Sequence, residues 1–239
     1  MCPNIVIPHQ PAYLPWSGFF SRLLGASQYV MLDHVQYRKN YWQNRNHVRD
    51  ARGEKILLTV PVRSSLSTTI AETQIADDRW RARHWRTLCQ SYARAPYWPE
   101  WKDRLKEIYD RPWELLVDLN EALIHLLLTG FGIDIPVVRS STLNPQTDKG
   151  DMVLEVCQAV QASSVRIGIG AASYLAPEKF RATGVEVELA TYSNPPYGRI
   201  PGDVPSDVSA LDLLLHEGPN SREILAAGEK REMWTGNQA

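Results

Sequence analysis

The sequence predicts an α/β fold: a mostly parallel sheet with helices on both faces and an added helical subdomain. Short apolar runs alternate with helical repeats in both halves of the chain, which is typical of a parallel sheet. Between them, residues 79–130 hold three helical repeats in succession. A chain of 239 residues with 44% hydrophobic residues can build one core. We therefore expect a single domain over 1–239, with 79–130 packed on the sheet or inserted into it.

The first elements predict a β-α-β unit. Residues 4–7 are a short apolar run, which predicts a buried strand. Residues 17–28 carry apolar side chains at helical spacing, and residues 29–33 predict a second buried strand. A glycine turn between a polar and an apolar run then predicts a hairpin over 47–60.

The remaining chain predicts a helical middle and a second alternating half. Amphipathic repeats at 79–94, 99–110 and 112–130 predict three helices, with Pro112 in the first turn of the third. Alternation then resumes, as in a Rossmann-like sheet. Strands are expected at 135–141, 164–170 and 185–192, and helices at 150–162, 172–184 and 209–218. The polar tail predicts a frayed end, unless Trp234 packs back.

Composition argues against several classes of protein. With 26 basic and 27 acidic residues the net charge is −1, so the whole chain lacks the field that general nucleic-acid binding needs. Cys2, Cys89 and Cys157 are an odd count without zinc-ligand spacing, which predicts free thiols, no metal site and a reducing compartment. No apolar stretch approaches the ~20 residues that span a bilayer. We expect a cytoplasmic protein with no nucleic-acid or membrane partner.

Ligands of open parallel sheets bind beyond the carboxyl ends of the strands. This rule selects positions that are polar or glycine. They are His9, Gln10, Asp33, His34, Gln36, Ser140, Ser141, Gly168, Gly170, Ser173, Tyr192, Ser193 and Asn194. Three prolines stiffen the first strand-to-helix turn, and we expect them to hold Tyr13 and Trp16 near the mouth of the site.

His9 and Asp33 are the candidate catalytic residues. The unperturbed pKa of histidine is near neutrality, so His9 suits a general base, although it could instead bond the turn backbone. A carboxylate at a buried strand end must find a donor. Asp33 could therefore orient His9, bind an amine or form a salt bridge with Arg45.

The stretch "HVQYRKNYWQNRNHVRD", residues 34–50, is rich in amide and cationic side chains. Amides both donate and accept, and arginine offers a two-pronged donor, so this loop is expected to line a polar pocket. The expected wall residues are Gln36, Arg38, Asn40, Asn44, Arg45 and Asn46. The arginine-rich helix start at 79–86 is either a solvated face or a phosphate contact. The segment "RIGIGAAS" lacks the third glycine of a dinucleotide loop, so a tight turn explains it equally well.

Several segments together resemble the WbqC-like protein family. They are "HQPAYLPWSGFFSRLLGASQYVMLDHVQYRKNYWQNRN", "LTVPV", "RHWRTLCQSYARAPYW" and "DVSALDLLLHEGP". The glycine segment departs from the family pattern, because Ala172-Ser173 stands where a basic residue is expected beside Tyr174. We expect Tyr174 to bind substrate. The missing basic residue beside it implies either a different substrate from that of other family members or a site that lacks one contact.

The resemblance implies a setting in surface-polysaccharide (O-antigen) or natural-product biosynthesis. It also implies a transferase that forms an amide or ester by moving an acyl or aminoacyl group from a carrier-protein thioester to an amine or amino sugar. No cofactor is then needed beyond a phosphopantetheine-bound substrate. Two alternatives remain open: a transferase that binds a nucleotide or nucleotide sugar, and a non-catalytic glycan-binding protein. The opening is also similar to HIGH-type nucleotidyltransferases, but their histidine pair is missing from 14–18.

Overall fold

The computed structural model describes residues 3–198 and 207–236. The strands are β1 (Ile5–His9), β2 (Gln28–Met31), β3 (Arg45–Arg49), β4 (Lys55–Thr59), β5 (Val62–Arg63), β6 (Gln74–Ile75), β7 (Val137–Arg139), β8 (Ser164–Gly168), β9 (Glu186–Tyr192) and β10 (Glu229–Met233). The helices are α1 (Ser17–Leu23), α2 (Arg79–Tyr92), α3 (Trp98–Asp110), α4 (Leu116–Gly130), α5 (Lys149–Ala159), α6 (Ile169–Ala172), α7 (Pro177–Ala182), α8 (Ala210–Glu217) and α9 (Ser221–Gly228). Short 3₁₀ turns follow β7 and α8.

The central sheet has six strands in the order β10-β9-β8-β1-β2-β7. Its neighbours are parallel except β10, which pairs antiparallel with β9. From β1 the chain builds outward through β2 to β7 and then crosses to β8 and β9 on the other side. The order therefore reverses between β1 and β8, as in doubly wound Rossmann-like sheets. The predicted α/β fold with a mostly parallel sheet is confirmed.

Apolar residues cover both faces of the sheet because neighbouring positions on a buried strand point in opposite directions. Ile7 belongs to the larger hydrophobic cluster, which includes buried residues of α1, α2, α3, α4 and α8. Val6 belongs to a second cluster, with buried residues of α5 and α7. The helices therefore lie on both faces, as the alternating pattern predicts.

The helical middle departs from the sequence prediction at one boundary. The third helix begins at Leu116 rather than at 112, so Pro112 precedes the helix instead of lying in its first turn. Residues 79–130 pack mainly against one face, through side chains such as Trp80, Trp101 and Leu105 in the larger cluster. The assignment of the whole chain to a single domain remains a prediction.

Two further segments differ from expectation. The tail forms α9 and then β10, and Trp234 packs back: it is 6% exposed, and its backbone N–H donates to Val187 O at 2.8 Å. In residues 164–184 the strand is shorter than expected, since β8 ends at Gly168. The break in the following helix that Pro177 favours is present, because α6 ends at Ala172 and α7 begins at Pro177. Within the described ranges, no helix has the length and apolar character to cross a membrane.

Candidate functional site

The strand order reverses between β1 and β8, and this is where the parallel-sheet rule places a ligand-binding crevice, beyond the carboxyl ends of the strands. Pairing between β1 and β8 includes only Ile5 with Ser164 and Val6 with Val165. Pro8 has no N–H with which to continue this ladder, although β1 remains paired with β2 as far as His9 and Met31. His9 on one strand and Gly168 on the other therefore flank the opening that the parallel-sheet rule selects for a ligand.

Asp33 lies just beyond β2, fully buried, and its carboxylate is held by the turn after β7. Oδ1 accepts from the Ser140 hydroxyl at 3.1 Å and from the Ser141 backbone N–H at 2.8 Å. Oδ2 accepts from the Ser141 hydroxyl at 2.7 Å. The salt bridge with Arg45 that the sequence allowed is not formed: Arg45 bonds Asn40 instead. The carboxylate of Asp33 therefore holds the Ser140 and Ser141 side chains in place in the turn after β7.

The Ser140 hydroxyl joins Asp33 to His34. It donates to Asp33 Oδ1, accepts from the Asp33 backbone N–H at 3.1 Å, and lies 2.5 Å from His34 Nδ1. A serine hydroxyl has one proton and two lone pairs, so these bonds are all satisfied when His34 carries its proton on Nδ1. The Nε2 lone pair of His34 is then free to accept a proton.

This cluster differs from a serine-nucleophile triad in its order. In such a triad the histidine lies between serine and carboxylate, whereas here Ser140 lies between Asp33 and His34. Ser140 is also fully buried. The hydroxyl therefore aligns His34 and has no accessible face from which to attack a substrate.

His34 is half-buried, and three carboxylates act on its ring. Burial lowers its pKa from the ordinary histidine value, while Asp33, Glu155 and Asp148 act in the opposite direction. Nε2 makes no hydrogen bond within the described residues. The ring is therefore a neutral imidazole at pH 7 whose tautomer is set by buried partners, which is the state required of a general base.

His9 also has a fixed ring orientation. Its Nδ1 lies 2.7 Å from the Gln10 backbone carbonyl, and its ring meets Phe19 edge-on at 5.2 Å between centroids. Burial, followed by the charge of Arg22, lowers the pKa of His9 to about 4. His9 is therefore neutral at pH 7 but a weaker proton acceptor than a base whose pKa lies near the working pH.

Gln43, which the sequence did not single out, fixes the loop over the site. It is 1% exposed; its side-chain N–H donates to Gln10 Oε1 at 2.8 Å, and its Oε1 accepts from the Arg38 backbone N–H at 2.7 Å. The Asn120 side chain donates to its backbone carbonyl at 2.8 Å. The loop of 34–44 is thus bound to the turn after β1. Gln10 Nε2 makes no hydrogen bond in the described part of the chain, so it remains a candidate donor to a substrate.

The predicted wall residues divide into two groups. Asn44 and Asn46 are buried and donate their amide hydrogens to the backbone carbonyls of Val60, at 2.8 Å, and Leu14, at 2.6 Å. Gln36 likewise donates to the Leu66 carbonyl. These three hold local structure, so a substrate would have to displace existing bonds. Their assignment to substrate binding remains a prediction.

Of the remaining predicted residues, Arg38 and Trp16 lie nearer the surface, whereas Tyr13 faces into the helical layer. Arg38 lies over the ring of exposed Tyr41 at 4.8 Å. Trp16 is half-buried, edge-on to Tyr192 at 5.7 Å. The placement of Tyr13 near the mouth needs correction, because its hydroxyl points into the helical layer, 2.8 Å from His84 Nδ1 and 2.6 Å from Tyr109 Oη.

The turn after β8 contributes an exposed rim. The Ser173 hydroxyl caps its own turn by donating to the Gly170 carbonyl at 3.1 Å, and Gly170 has open space beside its α-carbon. Tyr174 is partly exposed, and burial, followed by the electrostatic effect of Tyr41, raises its pKa. The exposed apolar side chains on these edge loops are Tyr41, Trp42, Leu66, Ile169 and Tyr174.

Arg22 is a second residue that the sequence prediction missed. Its guanidinium lies directly against Gly168, at 2.5 Å from the position a β-carbon would take. The sequence shows only an arginine between the apolar positions Phe20 and Leu23, which does not by itself indicate a contact with Gly168. Throughout 3–198 and 207–236, no group of three or more His, Cys, Asp and Glu side chains is arranged to hold a metal ion.

Comparison with known proteins identifies the family of this chain. The model of the WbqC-like protein family matches residues 10–224. An uncharacterised protein of Mycobacterium tuberculosis, Rv1507c, is 28% identical over 219 residues, which are 90% of this chain and 95% of that protein. No solved structure matches. Since the family match includes nearly all of the edge residues described above, the chain belongs to the WbqC-like protein family.

Proposed function

We propose that this protein is a transferase that moves an acyl or aminoacyl group from a carrier-protein thioester to an amine. In this proposal His34 is the general base and Asp33 positions it through Ser140. The observation that carries the proposal is the hydrogen-bonded series from Asp33 to Ser140 to His34, in which His34 Nδ1 lies 2.5 Å from Ser140 Oγ. It supports a base with a defined tautomer at the edge where ligands of this fold bind.

The proposed reaction needs one base and no redox partner. The amine nitrogen attacks the thioester carbonyl carbon, forming a C–N bond, and its proton passes to His34 Nε2. The C–S bond then breaks, and the proton leaves His34 to neutralise the departing thiolate. The products are an amide and a free thiol. A thioester is already activated, so positioning and proton transfer account for the catalysis that is needed.

Developing charge on the carbonyl oxygen also needs donors. Gln10 is the proposed donor, because Gln43 binds its oxygen and leaves its amide hydrogens without a partner among the described residues. The exposed side chains of Tyr41, Trp42 and Tyr174 support contact with a partner or an extended acyl arm, since each is a large aromatic group open to solvent.

The direct test uses carrier proteins loaded with single amino acids, a panel of amines and amino sugars, and intact-mass detection of the products. We expect a new mass equal to acyl group plus amine in the presence of the wild-type protein, and its loss with His34→Gln. His125→Gln is the matched control, because His125 is exposed on α4 away from the site. The proposal would be wrong if His34→Gln and Asp33→Asn both kept full transfer activity.

A nucleotide- or nucleotide-sugar-binding transferase is the second candidate. The strand order and the unpaired Arg22 at the reversal point favour it, because both are features of phosphate-binding crevices. A thermal shift with UDP-sugars or ATP tests it, since a ligand of the native state raises stability with the logarithm of its concentration. A glycan-binding protein needs exposed aromatic rings that stack on sugars; Tyr41 and Trp42 are exposed, whereas Tyr37 and Tyr197 are buried and cannot serve.

A further inference from the structure

We propose that the crevice between β1 and β8 binds the phosphate group of a ligand, with Arg22 as the residue that contacts it. This inference does not depend on the proposed acyl transfer. It rests on where the guanidinium lies, on what surrounds it and on the absence of a partner for it among the described residues.

The position of Arg22 depends on a glycine. A β-carbon on Gly168 would lie 2.5 Å from Arg22 Nη2 and 2.9 Å from its Cζ. The guanidinium therefore occupies the space that any other side chain at 168 would fill, at the carboxyl end of β8. His9, whose pKa Arg22 lowers, lies within its electrostatic reach on the other side of the crevice.

The carboxylates on the neighbouring strands make their ion pairs with other cations. Glu229 on β10 acts on Arg22 electrostatically; its Oε2 pairs with Arg231, and its buried Oε1 has no hydrogen-bond partner among the described residues. Glu188 on β9 pairs with Arg166 at 2.7 Å. Among described residues Arg22 makes no ion pair, and its buried Nε has no hydrogen-bond partner.

An unpaired, half-buried guanidinium is costly unless something binds it. Burial lowers the pKa of Arg22 to about 10, with Glu229 opposing and Arg166 adding to this change, so the group still carries its charge at pH 7. His9 is neutral there, which leaves Arg22 as the net charge of the crevice. A planar guanidinium binds phosphate oxygens with paired hydrogen bonds, so a phosphate ester is the ligand that fits.

Calorimetric titration with two matched ligand pairs tests the proposal. One pair is 4′-phosphopantetheine and pantetheine, and the other is AMP and adenosine. We expect the phosphate of at least one pair to tighten binding ten-fold or more, and the pair that responds identifies the source of the phosphate. Arg22→Gln should abolish this increase in affinity that the phosphate group provides. Arg83→Gln, a charge change on an exposed position of α2, should leave it intact.

Gly168→Ala provides a second variant that leaves Arg22 in place. The atoms that the new methyl group displaces are the far end of a flexible side chain, so we expect the fold to persist while the guanidinium moves. The gain from phosphate should then fall at least ten-fold, with the circular dichroism spectrum unchanged. The proposal is overturned if neither pair shows a gain, if the gain survives in both Arg22→Gln and Gly168→Ala, or if Arg83→Gln removes it.

Discussion

His34 Nδ1 and Ser140 Oγ lie 2.5 Å apart although 106 residues separate them in the chain. The contact exists because β2 and β7 are parallel neighbours, with Met31 beside Arg139, so that their carboxyl ends meet. It links a buried carboxylate, Asp33, to a half-buried imidazole ring. The arrangement fixes which nitrogen of His34 is available at the edge of the sheet.

Comparing Ser140→Ala with Ser141→Ala distinguishes two roles of these hydroxyls: the alignment of the His34 ring and the support of the Asp33 carboxylate. Each removes one hydroxyl donor to the buried carboxylate, so each should lower the free energy of unfolding by about 1–3 kcal/mol. Only Ser140→Ala removes the partner of His34. We expect ¹⁵N NMR to show His34 protonated on Nδ1 in the wild type and in Ser141→Ala, and a mixture of tautomers in Ser140→Ala. An unchanged His34 tautomer in Ser140→Ala would contradict the proposed alignment.

Two histidines should make the fold sensitive to acid. Burial lowers the pKa of His84 to about 3, with Arg83 contributing, and that of His9 to about 4. Below pH 6.5 the unfolded chain takes up protons that the folded chain does not, so stability is full above pH 6.5 and falls as the pH drops towards 4. At pH 5 each histidine should cost on the order of 2 kcal/mol.

Urea unfolding of wild type and His84→Gln between pH 7.5 and pH 4.5 checks this. The variant should be less stable at pH 7, because it loses the contact with Tyr13, but its stability should depend less on pH. Equal pH slopes in the two proteins would show that His84 is not the group responsible.

The buried pair of Arg49 and Asp212 joins the hairpin to α8. Arg49 Nη2 lies 2.6 Å from Asp212 Oδ2, and both side chains are almost fully buried. Asp212→Asn leaves a buried guanidinium without a counter-charge, so we expect a loss of about 3–5 kcal/mol in unfolding free energy. Asp151→Asn, which breaks an exposed pair with Lys179, should cost at most about 1 kcal/mol. Similar urea midpoints for the two variants would contradict this assignment.

The rate of transfer should depend on pH through His34. The base must be unprotonated, and its pKa lies below the ordinary histidine value. Single-turnover rates should therefore be constant above pH 6.5 and fall ten-fold per pH unit once the pH is below that pKa. A rate that stays constant down to pH 4 would exclude His34 as the base.

The fold was predictable where each segment carries its own pattern. Apolar runs such as 4–7 and 29–33 and the leucine spacing of α4 are local signals, and the structure confirms the elements that they predict. β10 was missed because an edge strand with mostly exposed side chains has no apolar alternation to read. The boundary of α4 was placed early because Pro112 suits a first helical turn but occurs before a helix as well.

The site was predictable in position but not in its contacts. The strand-end rule selected Asp33 and Ser140, which the structure brings together. It could not show that Ser140 lies between Asp33 and His34, since that depends on strands far apart in the sequence being neighbours. Arg22 was missed for a related reason: its role follows from the close approach to Gly168, and no sequence spacing encodes a contact between a helix and a strand so distant in the chain.

The most direct test of the central claim is the transfer rate of His34→Gln with an aminoacyl-loaded carrier protein and the amine that the wild type accepts. Glutamine keeps a polar side chain but cannot take the proton from the amine. The account predicts that the initial rate falls by about 10²–10⁴-fold while the variant stays folded and His125→Gln keeps the wild-type rate. A His34→Gln rate within about two-fold of the wild-type rate, measured at the pH optimum of the wild type, would contradict the assignment of His34 as the base.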